Sequence, residues 1–349
     1  VVHYEFEVPP GVRAPITATL KLQYRKFDHE FMAMVYRQAK PGDNAIEGGI
    51  QANASGQVHN TLPVLTLASD TVTFPIDGLA RSVENKDRDI PVWQRWNDYG
   101  IGLFLEGKAE LKQAEDAFRA VEKLNRFDGP INLARVYLRE GRIDEAAEAV
   151  QRAAQCKDPI APEWSVAWFS GLVNREEGRL DQAIENFRNI VDRTTPERVQ
   201  RGFDFSRDYE VLNALGRTLI DRAEQLRGPE QDKDRNDLLK EAATAFERTL
   251  AIDQENVNAH YNLGLIYGYL QDAQRERHHK ELHLRYKSDD NAQGLAVRAA
   301  REKYPHANYA AESLVIYPLQ RKGVPELPGS DDGVPHQNPS SPLSPTGAE

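Results

Sequence analysis

Three histidines stand close together in the string H-H-K-E-L-H, at His278, His279 and His283. His279 and His283 are four apart, on one face of any helix that carries them, and could share a metal ion or face a haem. The string is not the zinc-hydrolase motif, in which Glu directly follows the first His. Here Lys280 holds that place and Glu281 comes second. No third ligand stands at a sensible spacing, so the competing expectation is a solvated or partly packed helix face. The single cysteine, Cys156, excludes an intrachain disulfide and a multi-thiolate metal site, and is expected to be a buried structural thiol. There is no Gly-rich phosphate loop, no G-x-S-x-G and no H-E-x-x-H. Paired acids such as Glu176 and Glu177 fall at solvent-facing helix positions. The expectation is a chain with no catalytic residues and no cofactor of its own, leaving recognition as its chemistry.

The elements that would position recognition residues begin near residue 90, where the apolar period becomes helical. The strings L-E-G-K, R-E-G-R-I-D-E-A-A and E-E-G-R-L-D-Q-A-I place Gly107, Gly141 and Gly178 at spacings of 34 and 37. A glycine suits each place because a helix that reverses direction ends in a left-handed residue. Around these glycines a large residue, a small one four later and a large one three further recur. Trp96, Gly100 and Leu103 fit first, then Ala134 with Tyr137, Gly171, Gly216 with Leu219, and His260, Gly264 with Tyr267. In the helix that follows, a small residue precedes an apolar one by four: Ala114 and Phe118, Ala146 and Val150, Ala183 and Phe187, Ala242 and Phe246. The small residue lets two backbones approach, and the large ones fill the space between neighbouring pairs.

This pattern resembles the tetratricopeptide repeat (TPR), whose period is 34. The resemblance implies an all-α superhelical solenoid of about five repeats over 90–290, working as a protein-interaction scaffold. It also implies a concave groove lined by the first helix of each repeat. Counted from the repeat pattern, Asn97 and Ile101 should face that groove, followed by Arg135, Trp168 and Arg175, Asn213 and Arg217, and Tyr261. Asn and Arg there can hold a peptide carboxylate through charge-assisted hydrogen bonds. TPR domains that grip chain-terminal carboxylates are similar in principle, although their full Lys and Asn set is not reproduced. The first repeat carries two extra residues after Gly107. Gly216 and Ala242 are 26 apart, against 12 for Ala134 and Ala146, so R-G-P-E-Q-D-K-D-R-N-D should form a longer helix end and an exposed loop.

Residues 1–85 read as β structure, which makes the whole an α+β multidomain chain. Val2, Tyr4, Phe6 and Val8 alternate with polar residues, and Ile16, Ala18, Leu20, Leu22 and Tyr24 do so more clearly. Phe31 to Tyr36 and Leu62 to Ile76 should add strands, with turns at Pro9-Pro10-Gly11, Pro41-Gly42-Asp43 and Asn53 to Gly56. A small β-sandwich of four to six strands is expected. Past residue 290, helices at Ala292–Lys303 and Asn308–Leu319 should cap the open end of the solenoid over 291–322. The Pro/Ser-rich stretch 323–349 should be disordered.

A wider resemblance rests on L-Q-Y-R-K-F-D, L-P-V-L-T-L-A-S-D-T-V-T-F, R-Y-K-S-D-D-N-A and N-Y-A-A-E-S-L-V-I-Y-P-L. These are similar to the C-terminal part of bacterial multihaem c-type cytochrome proteins with a TPR tail. That resemblance implies an electron-transfer protein exported to the periplasm or cell exterior, with haem c held upstream of residue 1. The C-x-x-C-H motif that attaches haem has no counterpart here, so none of that family's haem ligands carries over. Residue 1 is Val, and a removed leader, a removed upstream domain or a fragment is expected. Other proteins or peptides are the partners expected. The net charge of −10 disfavours nucleic acid, and no apolar run reaches the roughly 20 residues of a membrane span.

Overall fold

The computed structural model describes residues 7–27, 29, 32, 50–52, 58–75, 90–303, 316 and 318–320. They fall in two compact units, Tyr4–Asp89 and the chain from Ile90 onward.

The first unit contains β1 (Ile16–Tyr24), β2 (Ile50–Ala52), β3 (Val58–Asn60) and β4 (Leu65–Phe74). β1 runs antiparallel to β4 from Ile16 opposite Phe74 to Tyr24 opposite Leu65, with a bulge at Leu22/Gln23, and β2 pairs with β3. Thr17 and Thr73, and Thr19 and Thr71, join hydroxyls across one face of the first ladder. The alternation in β1 marks its apolar face correctly, yet Leu22 is 62% exposed and Tyr24 49%. The described residues form two separate two-stranded ladders, and the expected sandwich goes no further than these. A two-stranded ladder has no second layer to bury its apolar side. Of the strand expected at Phe31–Tyr36 only Met32 is described, and it is helical. The expected strand at Val2–Val8 lies almost wholly outside the described residues, as do the turns at Pro41-Gly42-Asp43 and Asn53–Gly56 and the stretch 323–349.

Among its described residues the second unit contains five antiparallel helix pairs. These are α1 (Val92–Glu106) with α2 (Leu111–Lys123), α3 (Asp128–Glu140) with α4 (Ile143–Gln155), and α5 (Glu163–Glu176) with α6 (Leu180–Asp192). After the short α7 (Pro196–Arg201) come α8 (Tyr209–Gln225) with α9 (Asp232–Ile252), and α10 (Val257–Tyr269) with α11 (Ala273–Tyr286). A further helix, α12 (Asp290–Lys303), matches the first expected beyond residue 290.

The turn chemistry follows the sequence. Gly141 at φ 76° donates its N–H to Leu138 O, and Arg142 donates to Tyr137 O at 2.8 Å, which closes the carbonyl end of α3. In the fifth pair Gln271 takes the same left-handed place at φ 60°, and Asp272 N–H reaches Tyr267 O at 2.8 Å. Within the pairs, a Cβ built on Gly100, Gly171 or Gly216 would come within 2.6 Å of the ring of Phe118, Phe187 or Phe246. The ring occupies the volume that glycine vacates, and both helices depend on the exchange. In the second pair Ala134 is matched by the smaller Val150, and both are buried.

The insertion after Gly216 lengthens α8 to 17 residues and α9 to 21, leaving an exposed turn through Pro229–Gln231. A second insertion went unread in the sequence. Between α6 and α8, Thr195 caps α7 by accepting from Arg198 N–H, with Pro196 in its first turn. The Arg198 guanidinium is buried and donates to the carbonyls of Ile190, at 2.8 Å, and Arg193, which closes the end of α6.

The core of the described residues divides into three clusters. One joins the first three pairs through Leu103, Phe118, Leu133, Tyr137, Val150 and Val173. Another joins the third to the fifth through Phe187, Leu212, Leu219, Phe246, Leu263 and Tyr267. α5 serves both, presenting Val166, Phe169 and Val173 to the first and Ala167, Trp168 and Leu172 to the second. The third cluster, Trp96, Ala117, Ala120 and Val121, belongs to the first pair alone. The helix expected at Asn308–Leu319 is not present at Ile316, Pro318 or Leu319, which are non-helical.

Candidate functional site

Among the described residues, α1 touches α3, α3 touches α5 and α8 touches α10, whereas successive second helices make no comparable contact. At these three junctions the first helices therefore lie closer together than the second, on the inner side of the stack. Side-chain bonds run along it. Asn132 Nδ2 donates to Asn97 Oδ1 at 2.9 Å, and Arg135 Nη1 donates to Asn132 Oδ1 at 3.1 Å. Arg175 pairs with Asp221 at 2.9 Å, and Arg217 donates to Asn258 Oδ1 at 2.8 Å.

One place on this face differs in charge. The guanidinium groups of Arg135 and Arg139 lie over the Phe104 ring, 4.8 and 4.9 Å from its centroid. Arg139 also donates to Phe104 O at 3.0 Å. No carboxylate among the described residues pairs with either, although Arg126, Arg142, Arg152 and Arg175 each have one. Burial pushes the Arg135 guanidinium below its ordinary pKa, the sign of a cation short of both water and counter-charge. Leu105, next along α1, is 71% exposed. Two planar cations on an aromatic ring, each with unspent N–H groups beside open apolar surface, suit a carboxylate carried on a peptide.

The other expected groove residues are placed as follows. Asn97 joins the Asn132–Arg135 chain. Ile101 is half-buried against the first core cluster, and Trp168 packs on Phe187 with ring centroids 5.7 Å apart. Asn213 is buried, its Oδ1 accepting from Thr249 Oγ1 at 3.2 Å and its Nδ2 donating to Asn256 Oδ1 at 3.4 Å. Tyr261 is exposed and lies against the His283 ring. The structure thus gathers Asn97 and Arg135 with three residues unread in the sequence, Phe104, Asn132 and Arg139. Register gave no signal for Asn132, which follows Asn97 by 35 residues, one more than the repeat period of 34.

The histidines are engaged internally. His279 Nδ1 lies 3.0 Å from Nδ1 of the buried His260, whose Nε2 is 3.0 Å from Gln254 O. With one proton on each ring, His260 donates from Nε2 to the carbonyl and accepts at Nδ1 from His279. His283 Nδ1 donates to Val257 O at 3.2 Å. Among the described residues, no group of three or more His, Cys, Asp or Glu side chains could hold a metal. Burial, then the neighbouring His260 and His278, push His279 down to about 4; Glu247 acts weakly the other way. Its neutral form is therefore favoured by folding, and that stability is present above about 6.5 and lost as pH falls toward 4. The melting temperature should fall across that window, and His279→Phe should flatten this part of the profile. Cys156 is half-buried, and burial, then Glu122 and Asp128, raise its thiol above the ordinary value, which disfavours a reactive thiolate.

These helix pairs, with a small residue of each first helix seated against its partner, define a solenoid of the tetratricopeptide kind. No protein-family model and no curated protein matches the sequence. Several solved structures are similar to the chain. YrrB, described as a TPR protein with an unusual peptide-binding site, is 17% identical at a TM-score of 0.42, over 62% of this chain and 94% of that one. MamA is 15% identical at 0.40, over 61% and 95%. PilF of Pseudomonas aeruginosa is 15% identical at 0.43, over 63% and 87%. With TM-scores below 0.5, the class rests on the helix pairs themselves. No helix of the described residues is long and apolar enough to cross a membrane.

Proposed function

We propose that the chain is a protein-interaction scaffold without catalytic work of its own, and that its inner face holds an acidic or carboxylate-ended peptide at Arg135 and Arg139. One observation carries this reading: the two guanidiniums share the Phe104 ring and have no acidic partner among the described residues, in a chain of net charge −10. A half-buried cation without a counter-ion is costly, and an incoming carboxylate removes that cost while gaining charge-assisted bonds. Leu105 offers an apolar contact for the neighbouring side chain of the ligand.

The test is a fluorescence-anisotropy screen of peptides that differ only in a free or amidated C-terminus and in acidic content. The double change Arg135→Ala and Arg139→Ala should weaken the best peptide tenfold or more, at about 1.5–3 kcal/mol for each charge-assisted bond. The same change at Arg227, on the exposed turn after α8, should leave binding unaltered. Equal affinity of the double variant and the parent would exclude this part of the inner face.

The cytochrome reading is the alternative. Of the segments that carry that resemblance, 62–74 contains β4, and 22–28 overlaps the end of its partner β1 at Leu22, Gln23 and Tyr24. On that reading the scaffold stands downstream of a haem-bearing module in an exported electron-transfer protein. C-x-x-C-H sequences encoded before Val1 would carry it, and their absence there would end it.

A further inference from the structure

Three residues after its small residue, the first helix of four pairs carries a large buried one: Leu103, Tyr137, Leu219 and Tyr267. In the third pair that place, three after Gly171, is held by Asn174. The two tyrosines show what the place can do. The Tyr137 ring lies under Arg142, whose guanidinium is 4.3 Å from the centroid, and its Oη donates to Glu115 of the preceding α2 at 3.2 Å. The Tyr267 ring lies under Arg275 at 4.1 Å, and its Oη donates to Glu247 of the preceding α9 at 2.7 Å. Each of these junctions is closed by a phenol held between an arginine and an acceptor on the helix before.

The junction of α4 with α5 has no such phenol. Asn174 is shorter, and its amide is drawn aside: Nδ2 donates to Asn186 Oδ1, and Oδ1 accepts from Arg179 Nε, both at 2.9 Å. Ala147 follows the small Ala146 of α4 as Glu115 follows Ala114 of α2, so the long acceptor is missing as well. Both differences remove volume from one place. Among the described residues a cavity of about 170 Å³ opens there, with Ala147, Val150, Val166 and Val173 as its apolar wall. Arg179, one residue after Gly178 as Arg142 is one after Gly141, also lines it, and so do Gln151 and Ser170. Gln151 and Arg179 are exposed, so the cavity is reached from solvent.

We propose that this cavity binds the tyrosine side chain of a partner protein, which completes from outside the junction that Tyr137 and Tyr267 complete from within. An apolar cavity of about 150 Å³ admits a benzene ring, so the volume suits one phenol. The alanine and valine methyl groups bury the ring, and the Arg179 guanidinium supplies the cation for its face. The amide oxygen of Gln151 or the hydroxyl of Ser170 accepts from the phenol. This site does not rest on the arginine pair at Phe104, and the two are tested apart.

The experiment titrates p-cresol, the tyrosine side chain alone, into the full chain with labelled methyl groups, followed by NMR. The methyl resonances of Ala147, Val150, Val166 and Val173 should shift saturably, while those of α8–α11 stay still. Toluene, which lacks the hydroxyl, should bind about threefold more weakly or worse. A capped Gly-Tyr-Gly peptide should produce the same shifts, and capped Gly-Phe-Gly weaker ones. Asn174→Tyr should fill the cavity from within, melt at or above the parent and lose p-cresol affinity by about tenfold or more. Should that variant misfold, Ala147→Leu closes the cavity from the other wall and should abolish the same shifts. The double change Arg135→Ala and Arg139→Ala should leave them unaltered, whatever it does to acidic peptides. Absent or scattered shifts in the parent, or undiminished binding by a well-folded filled variant, would overturn the site. Equal binding of toluene and p-cresol, or binding of p-cresol without the tyrosyl peptide, would overturn tyrosine as its ligand.

Discussion

Alanine at Gly129 should cost more stability than alanine at any other helical glycine of the repeats, and alanine at Gly264 should cost nothing. A Cβ on Gly129 would stand 2.4 Å from Glu122 N and 2.8 Å from Phe118 O, both backbone atoms of α2. No side-chain rotation relieves that contact, so α2 and α3 must separate. At Gly216 the Cβ would meet the ring of Phe246, 2.6 Å away and fully buried, where a small shift of the ring is the only relief. At Gly264 the nearest atom is Cγ of Lys280 at 3.2 Å, on a flexible and exposed side chain. Overpacking costs about 1–3 kcal/mol, and Gly129→Ala belongs at the upper end. Replacing a helical glycine by alanine gains about 1 kcal/mol of propensity, which at Gly264 has little to oppose it. Thermal unfolding of the three variants should rank Gly264→Ala at or above the parent, then Gly216→Ala, then Gly129→Ala. A melting temperature for Gly264→Ala below that of Gly216→Ala would refute the packing account.

Glu115→Ala should be the second severe change. Its carboxylate is 1% exposed, yet it receives Arg119 at 2.5 Å, Arg142 and Tyr137 Oη at 3.2 Å, and Lys112 at 3.3 Å. The group joins α2 to α3 and to the start of α4. Removing one partner of a buried ion pair costs about 3–5 kcal/mol, and the lower figure applies because the guanidiniums of Arg119 and Arg142 still reach water. Burial by itself would raise the Glu115 carboxyl, but the hydrogen bond from Arg142 and the charges of Arg119 and Lys112 hold it below its ordinary value. A carboxylate whose pKa is lowered by folding contributes stability above its unfolded pKa of about 4.3, and loses it as pH falls through the folded value. The gap in melting temperature between the parent and Glu115→Gln should therefore be widest near neutrality and close on acidification. A gap that stays constant down to pH 3 would mean that shape, not charge, is what Glu115 supplies.

Much of the solenoid was legible because its packing repeats in residue types. Gly100, Gly171 and Gly216, each answered by a phenylalanine in the next helix, signal close helix contact without any knowledge of the fold. Asn97 and Arg135 were legible by register alone. Their partners were not, because Phe104 and Arg139 follow no repeat rule; they meet only once α1 and α3 lie side by side. Asn213 shows the limit of register from the other direction. Its position matches that of Asn97, but Thr249 and Asn256 happen to stand within reach and take up its amide. His279 was seen as half of a pair with His283, its neighbour along the helix, while its partner His260 is 19 residues earlier on α10. The insertion at 193–208 has no periodicity at all; Arg198 holds it by donating to helix-end carbonyls, and Phe203 and Phe205 by packing on Trp164. In the β unit the alternation predicted strands and faces, but strand number depends on long-range pairing that alternation does not encode.

The double service of α5 has a consequence for how the array transmits mechanical and thermal disturbance. In a quasi-one-dimensional array, free energy is a sum of unit and nearest-neighbour terms, so coupling between distant parts runs through whatever lies between. Here the first two pairs and the last two have separate cores, and both cores end on opposite faces of one 14-residue helix. Among the described residues, Val166, Phe169 and Val173 on one side, and Ala167, Trp168 and Leu172 on the other, are the apolar side chains by which α5 joins the two halves. α5 is thus a fuse. While it holds, the arginine pair on Phe104 and the histidine layer of the fifth pair belong to one cooperative body; once it frays, the chain becomes two short solenoids on a common string.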